Sequence, residues 1–238
     1  MAHPARVARA ALPADAVAAW AAQADDAYAD PAVRRAHHFV PTASSMALAA
    51  IDRAAVIAAV WAALGPSIQA ALGGPVAVNL ANAWLRRQFP LGQGPRWHAP
   101  HGWHQDGALG HDFLDPPADD PGLVPMITTW APLGPCGVDA PGLELVPADE
   151  PALRPVAALT APVVDRIHPP GARWRPALAP GDVLVFGGGV LHRTHATAAM
   201  TRPRTSVELR WLRADALPHR LAAQPHLPMP AGGAAGPI

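Results

Sequence analysis

Within the run His101-Gly102-Trp103-His104-Gln105-Asp106-Gly107, His104 and Asp106 form a His-x-Asp triplet. On a strand, residues i and i+2 point to the same face, so this imidazole and this carboxylate can reach one metal ion. A third donor comes late: His192 follows the apolar run opened by Gly181-Asp182. Two histidines and one carboxylate on one face of an ion leave its other positions open, the arrangement that suits non-haem Fe(II). Twelve residues beyond His192, Arg204 opens the strand-like run Arg204-Thr205-Ser206-Val207-Glu208-Leu209-Arg210-Trp211. The planar guanidinium of Arg204 suits bidentate recognition of a carboxylate.

Two of these choices have competitors. His195 stands three residues past His192, and Arg202 two before Arg204. His192 directly ends the apolar run, and Arg204 is in phase with the strand that follows, so both are preferred. His195 is left as a residue near the pocket. If Arg204 points inward, Ser206, Glu208 and Arg210 point inward too. Thr205, Val207, Leu209 and Trp211 then face outward, where helices can cover them. A Glu and an Arg on an inward face need a partner or a ligand, which makes Glu208 and Arg210 a candidate buried pair or substrate contacts; a solvated barrel rim is the alternative.

The elements that must position these groups divide in two. The first 74 residues read as helical, with a helix over 13–28 after Pro13 and a second over 44–64 capped by Ser44 or Ser45. Gly65-Pro66 is expected to end the second, with a short helix following over 67–72. From Pro75 the period changes to two, predicting a strand from Val76 to Leu85. Short strands are expected near 97–105, 126–131, 143–146, 163–168, 183–186 and 205–212, punctuated by Pro and Gly. Helices first and many short strands after predict an α+β, mainly β domain with an antiparallel barrel or sandwich, spanning residues 1–217. Residues 218–238, rich in Pro, Ala and Gly, read as a poorly packed tail.

Composition narrows the partners. Acidic and basic side chains balance at 18 each, so no basic stripe points to nucleic acid. No run of eighteen apolar residues suggests a membrane span. The single cysteine, Cys136, excludes internal disulfides. Asp15 and Asp25-Asp26 break a transit-peptide reading, and the expectation is a cytoplasmic protein with a small-molecule substrate. Asn79, Asn82, Arg86 and Gln88 are weaker pocket candidates. So are His98, His101 and His111 at the mouth, and Trp97, Trp103 and Trp174 as an aromatic lining. Trp20, Trp61 and Trp84 read as core, and Asp112 and Asp115 as exposed loop acids.

Five stretches together carry a family resemblance: WHQDG at 103–107, TTWAPL at 128–133, APGLELVP at 140–147, GDVLVF to LH at 181–192, and RPRTSVELRW at 202–211. They resemble the phytanoyl-CoA dioxygenase family of Fe(II)/2-oxoglutarate oxygenases. The resemblance implies a double-stranded β-helix (jelly-roll, cupin-like) core over 75–217 with the N-terminal helices packed on one sheet. It implies that His104, Asp106 and His192 bind iron, that Arg204 binds the far carboxylate of 2-oxoglutarate, and that Trp130 lines the cofactor pocket. Ser206 would support the same carboxylate. The implied reaction couples decarboxylation of 2-oxoglutarate to succinate and CO2 with hydroxylation by O2 of a small metabolite, an amino acid or a natural-product intermediate. Retention of Asp106, where halogenating relatives have a small residue, points to hydroxylation. A cupin-like metal enzyme that uses no 2-oxoglutarate, and a non-catalytic binding barrel, remain open at this point.

Overall fold

The computed structural model describes residues 5–40, 44–95, 98–109 and 122–231. In chain order its strands are β1 (Arg6–Ala8), β2 (Ser45–Ala47), β3 (Val76–Asn79), β4 (Trp84–Gln88), β5 (Met126–Pro132), β6 (Gly142–Asp149), β7 (Val183–Gly187), β8 (Val190–His195), β9 (Arg204–Arg213) and β10 (His226–Pro228). Its helices are α1 (Ala14–Ala29), α2 (Pro31–Ala36), α3 (Arg53–Leu72), α4 (Ala161–Ile167) and α5 (His219–Ala222).

The larger sheet runs β1-β7-β5-β9-β3-β10, with β4 also on β9 and β2 on β4. The smaller sheet, β6-β8, is widened by bridges from His104 to His192 and from Trp174 to Leu145. The strands pair antiparallel throughout the described residues. Side chains of both sheets meet in one cluster: Trp130, Leu184 and Phe186 from the larger, Leu143, Leu145 and Val190 from the smaller. This is the two-layer jelly roll of the expectation. The alternation of each strand sends the other set outward. Ile127, Val183, Val185, Val207, Leu209 and Trp211 pack under Val17 and Trp20 of α1 and Val56, Val60 and Trp61 of α3. Polar Arg204, Ser206, Glu208 and Arg210 are thereby left on the inner face, all buried.

Several local expectations change. The helix expected at 44–64 begins only at Arg53, because Asp52 caps it by accepting from Ala55 N at 3.0 Å. Met46 on β2 and Leu48 at the start of the 3-10 turn that follows are fully buried instead, an i, i+2 pair with the spacing of a strand rather than of a helix. At its other end the helix runs straight through Gly65-Pro66. An interior proline costs about 3 kcal/mol. Burial of Ile68 and Leu72 beyond it, at about 1.5–3 kcal/mol each, offsets that cost. By length and composition α3 could cross a membrane, yet one side of it carries the core contacts just described. The strand expected near 163–168 is α4: Pro162 suits a first helical turn, and Val164 is buried against Trp103 and Leu191. Nor does the 97–105 segment form a strand. Within its described part only His104 bridges to β8, and Trp97 lies outside the described residues. The expectation of a poorly packed tail fails up to residue 231. Leu221 is buried with Met126 and Leu212, and β10 pairs with β3 from His226↔Asn79. Residues 232–238 lie outside the described part.

Gly65 yields a testable reversal. A helical Gly→Ala change ordinarily gains about 0.5–1 kcal/mol. Here a Cβ would lie 2.8 Å from Trp61 Cδ2, and Trp61 is itself stacked on Trp211 at 5.6 Å. Gly65→Ala is expected to lose about 1–3 kcal/mol by overpacking. A thermal melt checks it; a raised midpoint would show that the indole has room to move.

Candidate metal and cofactor site

The inner face of the jelly roll holds a narrow cavity. One ligating atom each from His104, Asp106 and His192 lies within 4.8 Å of the others at its wall. The approach differs from the expected shared strand face. His104 is in extended backbone bridged to His192, and Asp106 opens a 3-10 turn over Asp106–Ala108. The turn is held by Gly107 N donating to Gly188 O at 2.8 Å, a backbone approach that a Cβ would block at 2.9 Å. His192 sits inside β8, after a reversal at Gly188-Gly189, rather than at the end of β7.

The two imidazoles are oriented alike. Nδ1 of His104 lies 2.8 Å from Gly102 O, and Nδ1 of His192 lies 3.0 Å from Val190 O. Each carbonyl accepts the Nδ1 proton, which leaves Nε2 with its lone pair free, the second-sphere arrangement of histidine ligands. Both Nε2 atoms are 3.8 Å from Asp106 Oδ1. An ion bonded at about 2.0–2.2 Å spans such a separation. The donor set and its orientation therefore fit Fe(II).

Asp106 is doubly anchored. Thr128 Oγ1 donates to Oδ2 at 2.6 Å, and Arg210 Nη2 lies 3.1 Å from Oδ1. Burial opposes ionisation of Asp106, but Arg210, the two imidazoles and Thr128 outweigh it and hold the carboxyl well below the usual range. Arg210 continues to Glu208 Oε2 at 3.4 Å and Asn82 O at 2.9 Å, and Arg86 Nε lies 3.0 Å from Glu208 Oε1. Glu208 and Arg210 are thus a buried pair, extended at both ends into a row of four alternating charges. Burial works against the Glu208 anion, and Arg86 and Arg210 overcome it.

Arg204 stands across the same cavity. Nη1 donates to Ser206 Oγ at 2.6 Å, Nε donates to Pro141 O at 3.2 Å, and the guanidinium lies 4.7 Å over the Trp130 ring. Its Nη2 is buried with no hydrogen-bond partner among the described residues. Burial pulls the group down to about 10, so it remains a cation at neutral pH. An unsatisfied, fixed, buried cation in a cavity is a seat for a carboxylate.

Other expected residues fall elsewhere. His101 lines the cavity, its ring 4.3 Å from that of His104. Gln88 is cross-strand from Arg204 but its amide lies 2.6 Å from the His98 ring. Asn79 caps a turn and binds Gln224, away from the cavity. Trp103 and Trp174 do not line it. Trp103 lies on the outer side of the small sheet between Arg173 and Arg193, and Trp174 packs on the inter-sheet cluster. His192 and Thr194 line the cavity, whereas His195, on the opposite strand face, does not. His111, Asp112 and Asp115 lie outside the described residues. Thr128 was not singled out as a site residue; its position two before Trp130 on β5 was the available signal.

The sequence matches the phytanoyl-CoA dioxygenase (PhyH) family over residues 5–204. The chain belongs to the phytanoyl-CoA dioxygenase family. It is accordingly a non-haem Fe(II)- and 2-oxoglutarate-dependent enzyme, and its donor set fits those cofactors. No curated protein sequence matches significantly. Among solved structures, EctD from S. alaskensis with 2-oxoglutarate and 5-hydroxyectoine is similar at a TM-score of 0.71 and 17% identity, over 90% of this chain and 73% of that one. The epimerase SnoN, in complex with Fe3+, alpha ketoglutarate and nogalamycin RO, gives 0.63 at 17% identity, over 89% and 80%. The carbocyclase SnoK from nogalamycin biosynthesis gives 0.58 at 15%, over 89% and 80%. At these identities the likeness is one of fold.

The metal-free site carries a pH dependence. Burial, aided by Arg86, lowers His101 to about 4, against about 6.5 in the unfolded chain. Between those values the unfolded chain binds the proton and the folded one does not, so stability falls as pH falls through this window. The loss is expected to be on the order of 3 kcal/mol for the metal-free protein between about pH 7 and pH 4. Urea melts across that range check it, with His101→Asn expected to flatten the slope. An unchanged slope in that variant would assign the effect to other groups.

Proposed function

We propose that this enzyme hydroxylates an unactivated C–H bond of a small metabolite, an amino acid or a natural-product intermediate, in the cytoplasm. The reading rests on one observation above the rest: the unpartnered Nη2 of Arg204 in the same cavity as the His104, Asp106 and His192 donors. His104 and His192 would present Nε2, and Asp106 an oxygen, to one face of Fe(II). Arg204, braced by Ser206 and stacked on Trp130, would take the far carboxylate of 2-oxoglutarate. Bound there, Fe(II) and 2-oxoglutarate supply the oxidising power of O2 as the oxo acid is decarboxylated to succinate. The protein's part is to orient. Thr128 and Arg210 keep Asp106 anionic and aimed, and the two backbone carbonyls fix the imidazole tautomers. Balanced overall charge supports a small-molecule substrate over a nucleic acid.

Anaerobic titration of the metal-free protein with Fe(II) and 2-oxoglutarate tests this. The weak visible band of the chelate is expected near one equivalent of iron. Metal binding without a band would favour the cupin-like alternative, and no metal binding the non-catalytic barrel.

A further inference from the structure

The ionisable lining of the cavity does not balance. Arg86, Arg204 and Arg210 face Asp106 and Glu208, three guanidinium groups against two carboxylates. On the reading above, the charges of Fe(II) and of the 2-oxoglutarate dianion cancel, so the loaded site keeps one net positive charge. Uncompensated charge in a buried cavity is costly, and the remaining occupant is the substrate.

The surplus can be located. Arg204 has 2-oxoglutarate to meet. Arg210 is satisfied by Asp106, Glu208 and Asn82 O. Among the described residues the Arg86 guanidinium makes one polar contact, Nε to Glu208 Oε1 at 3.0 Å. That Nε lacks the geometry of a hydrogen bond, and its partner is shared with Arg210. Arg86 lies opposite Ser206 in the β4–β9 pairing, one inward position from both Arg204 and Glu208. Its side chain is mostly buried and lines the cavity, and its terminal nitrogens have no partner among the described residues.

We propose that Arg86 is the substrate-anchoring residue and that the substrate class is a small organic acid bound through one carboxylate. The proposal rests on the Fe(II)/2-oxoglutarate reading. A monocarboxylate supplies the single missing charge, and its two oxygens match the planar fork of the guanidinium. A phosphate monoester would bring close to two negative charges and overshoot. The net charge of an α-amino acid is zero, but its carboxylate can take Arg86 while its ammonium faces Glu208.

The test uses the full-length protein loaded anaerobically with Fe(II) and 2-oxoglutarate. The probes are short straight-chain monocarboxylic acids and the proteinogenic amino acids, each beside its primary amide and, where one exists, its phosphate-ester analogue. The expected result is saturable perturbation of the chelate band by some of the acids and by none of their amides. Arg86→Gln, compared with the wild type at saturating Fe(II) and 2-oxoglutarate, is expected to bind the responding acid roughly 30-fold more weakly or worse, with Arg86→Lys in between. Equal response to amides, response to phosphate esters alone, no response to any acid, or an undiminished response in Arg86→Gln would overturn the assignment. Absence of the chelate band in the wild type would instead remove the reading beneath it, and the proposal with it. Thermal melts of both variants separate a lost contact from a lost fold.

Discussion

Asp106→Ala is expected to abolish turnover and to lower the stability of the metal-free protein, a combination that replacement of a simple surface ligand would not give. The carboxylate has two roles. It supplies the only anionic donor of the triad, and it neutralises Arg210, which is buried with it at 3.1 Å. Deleting one partner of a buried ion pair leaves the other charge uncompensated, at a cost of about 3–5 kcal/mol. Glu208 and Asn82 O still hold Arg210, which places the expected loss at the lower end. Thr128 also loses its acceptor. Asp106→Asn keeps the shape but not the charge, and is expected to fold better than the alanine variant while still failing to retain iron. Metal analysis and calorimetry on both variants check this. Full iron occupancy in Asp106→Ala would show that the two histidines suffice.

The second large effect concerns Arg204. Among the described residues its Nη2 has no partner, while Ser206, Pro141 O and the Trp130 ring hold the rest of the group still. Removing one member of a buried charged pair costs about 2–5 kcal/mol, or a factor of roughly 30 to several thousand. Arg204→Ala is therefore expected to weaken 2-oxoglutarate binding by roughly 30-fold or more, with Fe(II) binding retained, because Arg204 touches none of the three metal donors. Arg204→Lys keeps the charge but loses the fork and the stacking, and belongs between the two. The midpoint of the chelate band against 2-oxoglutarate concentration measures both. Unchanged affinity in Arg204→Ala would assign the oxo acid to another cation, with Arg210 and Arg86 the remaining choices in the cavity.

Much of this site could be read from residue order because it is built on strands whose alternation is regular. On β9, Arg204, Ser206, Glu208 and Arg210 face inward and Val207, Leu209 and Trp211 outward, as the two-residue period requires. The parts that were not legible are those fixed by contacts between distant segments. Asp106 reaches the histidines through a 3-10 turn pinned to Gly188, and nothing local announces that turn. Trp103 sits next to His104 in sequence but is drawn to the far side of the small sheet by Val146, Leu159, Val164 and Leu191. The bond from Arg210 to Asp106 spans 104 positions. Residues after Pro218 look like a tail because prolines and alanines dominate them. A few apolar side chains, Leu221 foremost, are enough to fasten them to the sheet.

β9 is flanked along its length, by β5 on one side and by β3 and β4 on the other. Its outer residues belong to the helix-covered core and its inner ones to the cavity. Its amide protons should therefore exchange with solvent only when the whole domain opens, at the slow end of the molecule's protection range. No partly unfolded state can keep the anion seat at Arg204 or the Arg210 brace on Asp106 while giving up the core beneath them. A ligand that tightens this cavity should therefore slow exchange across the whole domain rather than in one loop.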